Sequence, residues 1–185
     1  MKADLHIHSD FSDGSDSREV ILKKAAACGI KLLAFTEHDT TEGWHESIIL
    51  GKKYGVKVLS GVEISARDYK TGKKVHILGY NFKTTNAIEE LCQPVAKARH
   101  ENSLQKIAVL QKMGYKITAE DVQPYAHKYI FKKHILHYLY DSGQEKQLFG
   151  HVYHNVFHGG GAGDFGIKYA DAADAVRAVT ACGGV

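Results

Sequence analysis

Several features are scarce in this chain, and each scarcity excludes a class of protein. The cysteines, Cys28, Cys92 and Cys182, form an odd and widely spaced set, which predicts neither a disulfide framework nor a zinc knuckle. No apolar run approaches the roughly 20 residues that a membrane-spanning helix needs, and no apolar signal segment follows Met1. The formal net charge of +3 is too small to indicate nucleic-acid binding by itself. We therefore expect a cytoplasmic globular protein with no membrane association.

The first half of the chain alternates short apolar segments with amphipathic ones. This order of strand, helix, strand, helix, strand is typical of a parallel α/β fold. We predict strands over 3–7, 32–35 and 56–59 and helices over about 16–29 and 42–54. A further strand over 75–80 is predicted to pair with residues 64–66 across a turn at Thr71 and Gly72.

The pattern becomes mostly helical in the second half. A helical pattern runs from residue 86 to 114, and we expect Pro94 to divide it. The segment 154–165 is glycine-rich and irregular, and a last helix is predicted over 171–181. The predicted organisation is an N-terminal α/β part over 1–85, a mostly helical insertion or lid over 86–168, and a return to the α/β part over 169–185.

Histidine is unusually abundant, with 12 residues, and several histidines and carboxylates follow predicted strands. His6 and His8 lie two apart on a strand, so both side chains project from one face and can bind one divalent ion. Asp13, His38 and Glu63 stand at or just beyond strand ends, which meet at one edge of a parallel sheet. His76 lies inside an apolar strand, as either a core histidine or a further ligand.

These segments together resemble a known family. The motifs are DLHIHS at 4–9, SDG at 12–14, FTEHD at 35–39, GVEIS at 61–65 and VHILGY at 75–80. In combination they resemble the PHP family, the polymerase and histidinol phosphatase superfamily of metal-dependent phosphoesterases. The most similar branch is that of the small bacterial enzymes acting on nucleotides and short oligonucleotides. One departure is Glu37, where the family more often has Asp.

The resemblance implies a distorted (β/α)7 barrel and two or three divalent ions, with Mn, Fe or Zn as candidates. Glu63 would bridge the first and second ions, and His76 would join the second. The implied metal ligands are His6, His8, Asp13, His38, Glu63 and His76. The implied substrate-binding residues of the insertion are Arg99, Lys132 and His134.

The family pattern continues beyond Gly183 and Gly184 into motifs that complete each metal site, and these motifs are not in this sequence. We therefore expect a barrel that is incomplete at its C-terminal end, through truncation. Such a chain is expected to have impaired activity, and its exposed sheet edge would favour self-association.

The predicted reaction is metal-dependent hydrolysis of a phosphate ester, with a metal-bridging hydroxide as the nucleophile. The substrate would be a nucleotide, a short oligonucleotide or a similar phosphorylated metabolite. The sequence has no nucleophile elbow and no Walker loop, which agrees with this chemistry. One alternative is a catalytically impaired metal-binding module of the same fold. Another is an amidohydrolase-type hydrolase, which the loop at Ser12 to Gly14 and the need for a metal-bridging lysine disfavour.

Overall fold

The computed structural model describes residues 1–185, which form two compact units. The first unit contains Met1–Ala96 and Tyr169–Val185, and the second contains Lys97–Lys168. In chain order the strands and helices are β1 Lys2–Ile7, α1 Arg18–Ala27, β2 Ile30–Phe35, α2 Trp44–Lys53, β3 Lys57–Leu59, β4 Gly61–Asp68, β5 Lys73–Tyr80, α3 Asn86–Lys112, α4 Ala119–Val122, α5 Lys132–Asp141, β6 Ala170–Asp171 and α6 Ala172–Ala181. No helix is long and apolar enough to span a membrane.

The first unit contains two three-stranded sheets. One sheet is parallel, in the order β1-β2-β3, and the other has the order β5-β4-β6, with β4 antiparallel to β5 and parallel to β6. A single bridge between His38 and Glu63 connects the end of β2 to β4. The predicted α/β class is confirmed, and the strands form an open arrangement rather than a closed barrel.

The parallel sheet buries its apolar residues against the helices that connect its strands. Leu33 and Val58 pack against Ile21 and Leu22 of α1, and Leu22 and Leu33 are completely buried. Ser17 caps the start of helix α1, and its hydroxyl accepts the N–H of Val20. This packing fixes the carboxyl ends of β1 and β2 side by side.

The predicted pairing of the fourth and fifth strands is confirmed. In this antiparallel ladder Ser65 stands opposite His76, and Glu63 stands opposite Leu78. Glu63 and His76 are therefore diagonal neighbours on one face of the sheet, where side chains can interact. The turn between the strands includes Gly72 at φ 72°, a left-handed conformation that glycine adopts without strain.

The expectation that Pro94 divides its helix is wrong. Helix α3 runs unbroken for 27 residues with Pro94 inside it. Proline removes one backbone donor, so the carbonyl of Glu90 lacks its usual intrahelical partner. Both Pro94 and Glu90 are exposed, so water can hydrate that side of the helix. Buried residues on the other side, such as Cys92 and Val95, hold the helix together through this point.

The second unit has an apolar core of its own. Leu110 of α3 and Ile135, Leu136 and Leu139 of α5 are buried to 1% exposure or less within one cluster. Helix α4 begins with a capping box in which Thr118 and Asp121 exchange side-chain and backbone hydrogen bonds.

Candidate metal centre

The structure brings all six predicted metal ligands into overlapping groups at one edge of the first unit. Each group contains three ligand atoms that all lie within 4.8 Å of one another. The groups are His6 with His8 and Glu63; His8 with Asp13 and His38; and His38 with Glu63 and His76. Candidate ligands therefore lie close together although they come from the strand ends, the turn after β1 and the β4–β5 pair.

Glu63 is the centre of this arrangement. Its Oε2 lies 2.9 Å from Nε2 of His6, 2.9 Å from Nε2 of His8 and 3.6 Å from Nδ1 of His38. Its Oε1 forms a hydrogen bond with Nδ1 of His76. Although His76 lies on an apolar strand, its side chain is about half exposed and faces Glu63, so it is no core histidine.

The contacts between Glu63 and its neighbours shift the pKa values of Glu63 and His8. Burial alone would raise the pKa of Glu63, but hydrogen bonds with His76 and His8 and the neighbouring His38 outweigh it and hold the pKa well below its usual range. For His8 burial acts in the opposite direction and lowers the pKa. The bond with Glu63 and the charge of Asp13 outweigh burial and raise the pKa above 6.5 overall. The neighbouring imidazoles therefore keep the buried carboxyl group of Glu63 ionised.

Asp13 is held in a tight turn that follows β1. The N–H groups of Ser12 and Gly14 both donate to the carbonyl of Ser9, at 3.1 and 2.9 Å. A side chain at Gly14 would collide with the backbone of His8, so only glycine allows the chain to double back this closely. The turn leaves a carboxylate oxygen of Asp13 3.8 Å from Nδ1 of His8.

The donor set fits divalent transition metals. Imidazole nitrogen and carboxylate oxygen are ligands of Zn²⁺, Mn²⁺ and Fe²⁺. With metal–ligand bonds of about 2.0–2.2 Å, two ligands of one ion lie roughly 3–4 Å apart. Ligand atoms grouped within 4.8 Å need only small side-chain shifts to reach such distances. Glu63 belongs to two of the groups, and its two oxygens face different histidines, Oε2 toward His6 and His8 and Oε1 toward His76, an arrangement that a bridging carboxylate can use.

A buried ion pair behind the ligands was not identified from the sequence. Glu37 is 1% exposed, and it accepts hydrogen bonds from Ser9, Ser12 and Arg18. Arg18 is itself buried, with a contact of 3.3 Å between its Nη2 and Oε1 of Glu37. The signal available in the sequence was a charged residue, Glu37, at the end of an otherwise apolar strand.

The three predicted substrate-binding residues belong to the second unit. The guanidinium of Arg99 lies 5.4 Å from the ring centre of Phe131, and Nζ of Lys132 lies 2.6 Å from Nε2 of His158. His134 is 2% exposed, and its Nδ1 accepts the N–H of Phe131 at the start of α5. This bond gives His134 a local structural role, while contact of the three residues with a substrate remains a prediction.

Comparison with protein families gives one match that spans almost the whole chain. The model described as the PHP domain matches residues 4–181. It covers all six candidate ligands, the buried pair Arg18 and Glu37, and the whole second unit.

Two curated relatives match the full length of this chain. A phosphoribosyl 1,2-cyclic phosphate 1,2-diphosphodiesterase from Eggerthella lenta is 39% identical over 188 residues, and the match covers 72% of that protein. A 5'-3' exoribonuclease from Haemophilus influenzae is 30% identical over 185 residues, with 66% of its length covered. The chain thus spans about two thirds of the length of these relatives.

A solved structure shows the same fold. The structure of an amidohydrolase from Chromobacterium violaceum, with bound sulfate and no metal, superimposes with a TM-score of 0.90 at 28% sequence identity. The match covers all of this chain and 65% of that one. Both compact units of the chain therefore have counterparts in a single solved protein.

Proposed function

Since the chain belongs to the PHP domain family, as its motifs predicted, we propose that it is a metal-dependent phosphoesterase. The observation that carries the proposal is the convergence of His6, His8, His38 and His76 on the single buried carboxylate of Glu63. Four imidazoles around one carboxylate provide neutral nitrogen donors and one bridging anion, which suit a cluster of Mn, Fe or Zn ions.

Each ligand group has a distinct place in the proposed centre. The group of His6, His8 and Glu63 would hold a first ion, and the group of Glu63 and His76, with His38 nearby, a second. Asp13 and His38, with His8 nearby, would hold a third. When bound, such ions supply Lewis acidity toward phosphoryl oxygens and an activated water molecule at neutral pH. The protein itself supplies the fixed ligand geometry.

The proposed substrate is a phosphate ester of a small molecule or a short oligonucleotide. The support is the chemistry named for the two relatives, one acting on a cyclic phosphate and the other on RNA. Arg99 and Lys132 offer cationic groups that can bind phosphate oxygens. His134 would serve them indirectly, because its bond to the N–H of Phe131 fixes the start of the helix that carries Lys132.

An amidohydrolase-type reaction is less well supported. That class usually employs a metal-bridging lysine, and the ligand groups here contain only histidine, aspartate and glutamate. In this chain Glu63 occupies the shared position between two groups. A negligible rate on amide and lactone substrates, measured beside phosphate esters, would separate the two reactions.

The experiment that tests the proposed function is hydrolysis by the purified chain after loading with Mn²⁺. The substrates are a cyclic phosphodiester, a nucleoside bisphosphate and a short RNA, with phosphate or nucleotide release as the readout. We expect release that chelation abolishes and that His6→Ala reduces by at least tenfold. The matched control is His127→Ala, which changes a histidine of the second unit. If the metal-loaded protein releases no phosphate or nucleotide from any substrate, the proposed hydrolase activity is wrong and the chain is a metal-binding module.

The free edge of β1 supports a further part of the proposal, which is self-association. Strand β1 pairs with β2 alone and therefore lies at an edge of its sheet, where a strand of a second molecule can be added. Light scattering at increasing protein concentration should show a rising average mass. A mass that stays at the monomer value of 20.4 kDa would exclude this association.

A further inference from the structure

We propose that Glu37 and Arg18 form a positioning pair that sets the shape of the turn over residues 9–14, and thereby controls metal binding at the group of His8, Asp13 and His38. The inference rests on the proposed metal centre but concerns residues that are not ligands. Neither Glu37 nor Arg18 belongs to any of the three ligand groups.

Glu37 binds the turn at both of its serines. Oε2 accepts the N–H of Ser9 at 3.1 Å and the hydroxyl of Ser12 at 2.5 Å, and Oε1 accepts the hydroxyl of Ser9. Asp13 directly follows Ser12 in the sequence. A carboxylate that holds the two residues on either side of the turn also fixes the direction in which Asp13 leaves it.

Arg18 holds the same turn from the other side and anchors it to the rest of the unit. Its guanidinium lies 3.8 Å from the ring centre of Phe11, at the middle of the turn. Nη1 donates to the hydroxyl of Ser47 and Nη2 to the carbonyl of Glu42, both at 2.9 Å. The pair therefore connects the turn to α2, and its own charges are compensated within hydrogen-bond distance.

Ser12 connects this pair to a ligand. Its hydroxyl lies 3.4 Å from Nδ1 of His8, while Nε2 of the same ring lies 2.9 Å from Glu63. A partner behind a ligating imidazole orients the ring and fixes its tautomer. Removing the charge of Glu37 would therefore disturb both His8 on its Nδ1 side and Asp13.

The effect should be largest at the group that contains Asp13, because His8, which this group shares with His6 and Glu63, is also held through its Nε2 by Glu63. The main chain of Glu37 accepts the N–H of Glu63 at 3.0 Å, and a side-chain substitution leaves that bond in place. Glu63 and His76 are fixed by the β4–β5 ladder, which Glu37 does not join. A pair that merely supported the fold would affect all three groups, whereas a positioning pair affects the group that contains Asp13.

The test is a stepwise Mn²⁺ titration of the full chain, with free Mn²⁺ followed by electron paramagnetic resonance and bound metal counted by mass spectrometry. The variants are Glu37→Gln, Glu37→Asp and Ser12→Ala. Asp13→Asn serves as the reference for loss of this group, and Glu90→Gln is the control on an exposed glutamate. We expect Glu37→Gln to lower the affinity for one ion by about 10–100-fold, the range for residues behind metal ligands. The ion most affected should be the one that Asp13→Asn also affects. The affinity for the ion held by Glu63 and His76 should stay at the wild-type value, and the affinity of the group that shares His8 should fall less than that of the group with Asp13.

The conservative variant should restore binding. Glu37→Asp keeps the charge, so it should retain the ion that Glu37→Gln loses, whereas Ser12→Ala should weaken the same ion to a smaller extent. If Glu37→Gln proves unfolded by circular dichroism, Ser12→Ala decides the question alone. Wild-type affinity for every ion in Ser12→Ala, or equal weakening of all ions in folded Glu37→Gln, would overturn the inference. Wild-type protein that binds no ion at all would overturn the proposed function as well.

Discussion

The substitution Glu63→Gln tests the metal centre most sharply, because it removes one charge without changing the shape of the side chain. Glu63 contributes to two of the three ligand groups, and its oxygens contact His6, His8 and His76 directly. An amide at this position carries no charge and cannot bridge the two groups as an anion. We therefore expect the variant to lose the ions that those two groups hold.

The magnitude follows from linkage between binding and folding. An ion present at a hundred times its dissociation constant stabilises the folded state by about 2.7 kcal/mol. For a chain of this size each kcal/mol raises the unfolding temperature by about 2–4 °C. One bound ion should thus raise the unfolding temperature of the wild type by about 5–11 °C, and Glu63→Gln should lose most of this rise.

The assay is thermal unfolding at increasing Mn²⁺, followed by circular dichroism, with Glu90→Gln as the control on an exposed site. The metal-free variant should itself unfold at a lower temperature than the metal-free wild type, because it loses the carboxylate that the imidazoles stabilise, so the quantity compared is the Mn²⁺-induced rise in each protein. An equal Mn²⁺-induced rise in wild type and Glu63→Gln would refute the assignment of Glu63 as the shared ligand.

Three further predictions concern the turn and the second unit. Gly14→Ala should destabilise the first unit by about 1–3 kcal/mol in urea unfolding, because the added methyl group meets the backbone of His8; an unchanged midpoint would contradict this. Leu139→Ala should destabilise the second unit by about 2–5 kcal/mol while leaving Mn²⁺ stoichiometry unchanged, and loss of bound metal would contradict it. Burial and the charge of Lys132 lower the pKa of Lys106 from its ordinary value of 10.5 to about 8. The folded state therefore binds this proton less readily than the unfolded chain, so the contribution of Lys106 to stability is greatest above pH 10.5 and is lost as the pH falls toward 8. The free energy of unfolding of the wild type, relative to that of Lys106→Met, should rise by up to about 3 kcal/mol between pH 8 and 10.5. A difference between the two proteins that does not change with pH would contradict this prediction.

Much of the clustering of the proposed ligands could be predicted because these residues follow simple local patterns. The spacing of His6 and His8 places both on one face of a strand, and the apolar run before His38 marks the end of a buried strand. The antiparallel pairing that brings His76 beside Glu63 followed from a recognisable turn at Gly72. In each case one periodicity, or one turn, determines the position of the side chain.

Other features depend on contacts between distant segments and could not be read from local pattern. Arg18 lies in the first turn of a helix, where a charged residue ordinarily faces water, yet it is buried because it meets Glu37 from another element. Lys106 lies on a helix and is 4% exposed, because the rings of Phe157 and Phe165 cover it. The effect of Pro94 was misjudged for a related reason, since packing on one side of the helix outweighs one missing hydrogen bond.

The most direct test of the central claim is the number of metal ions bound per chain. The purified chain is loaded with Mn²⁺, passed through a desalting column and analysed by mass spectrometry, beside His76→Ala and the control Glu90→Gln. The ligand groups predict two or more ions in the wild type and in the control, and at least one fewer in His76→Ala. Retention of no ion by the wild type, or the same number of ions in His76→Ala, would contradict the account.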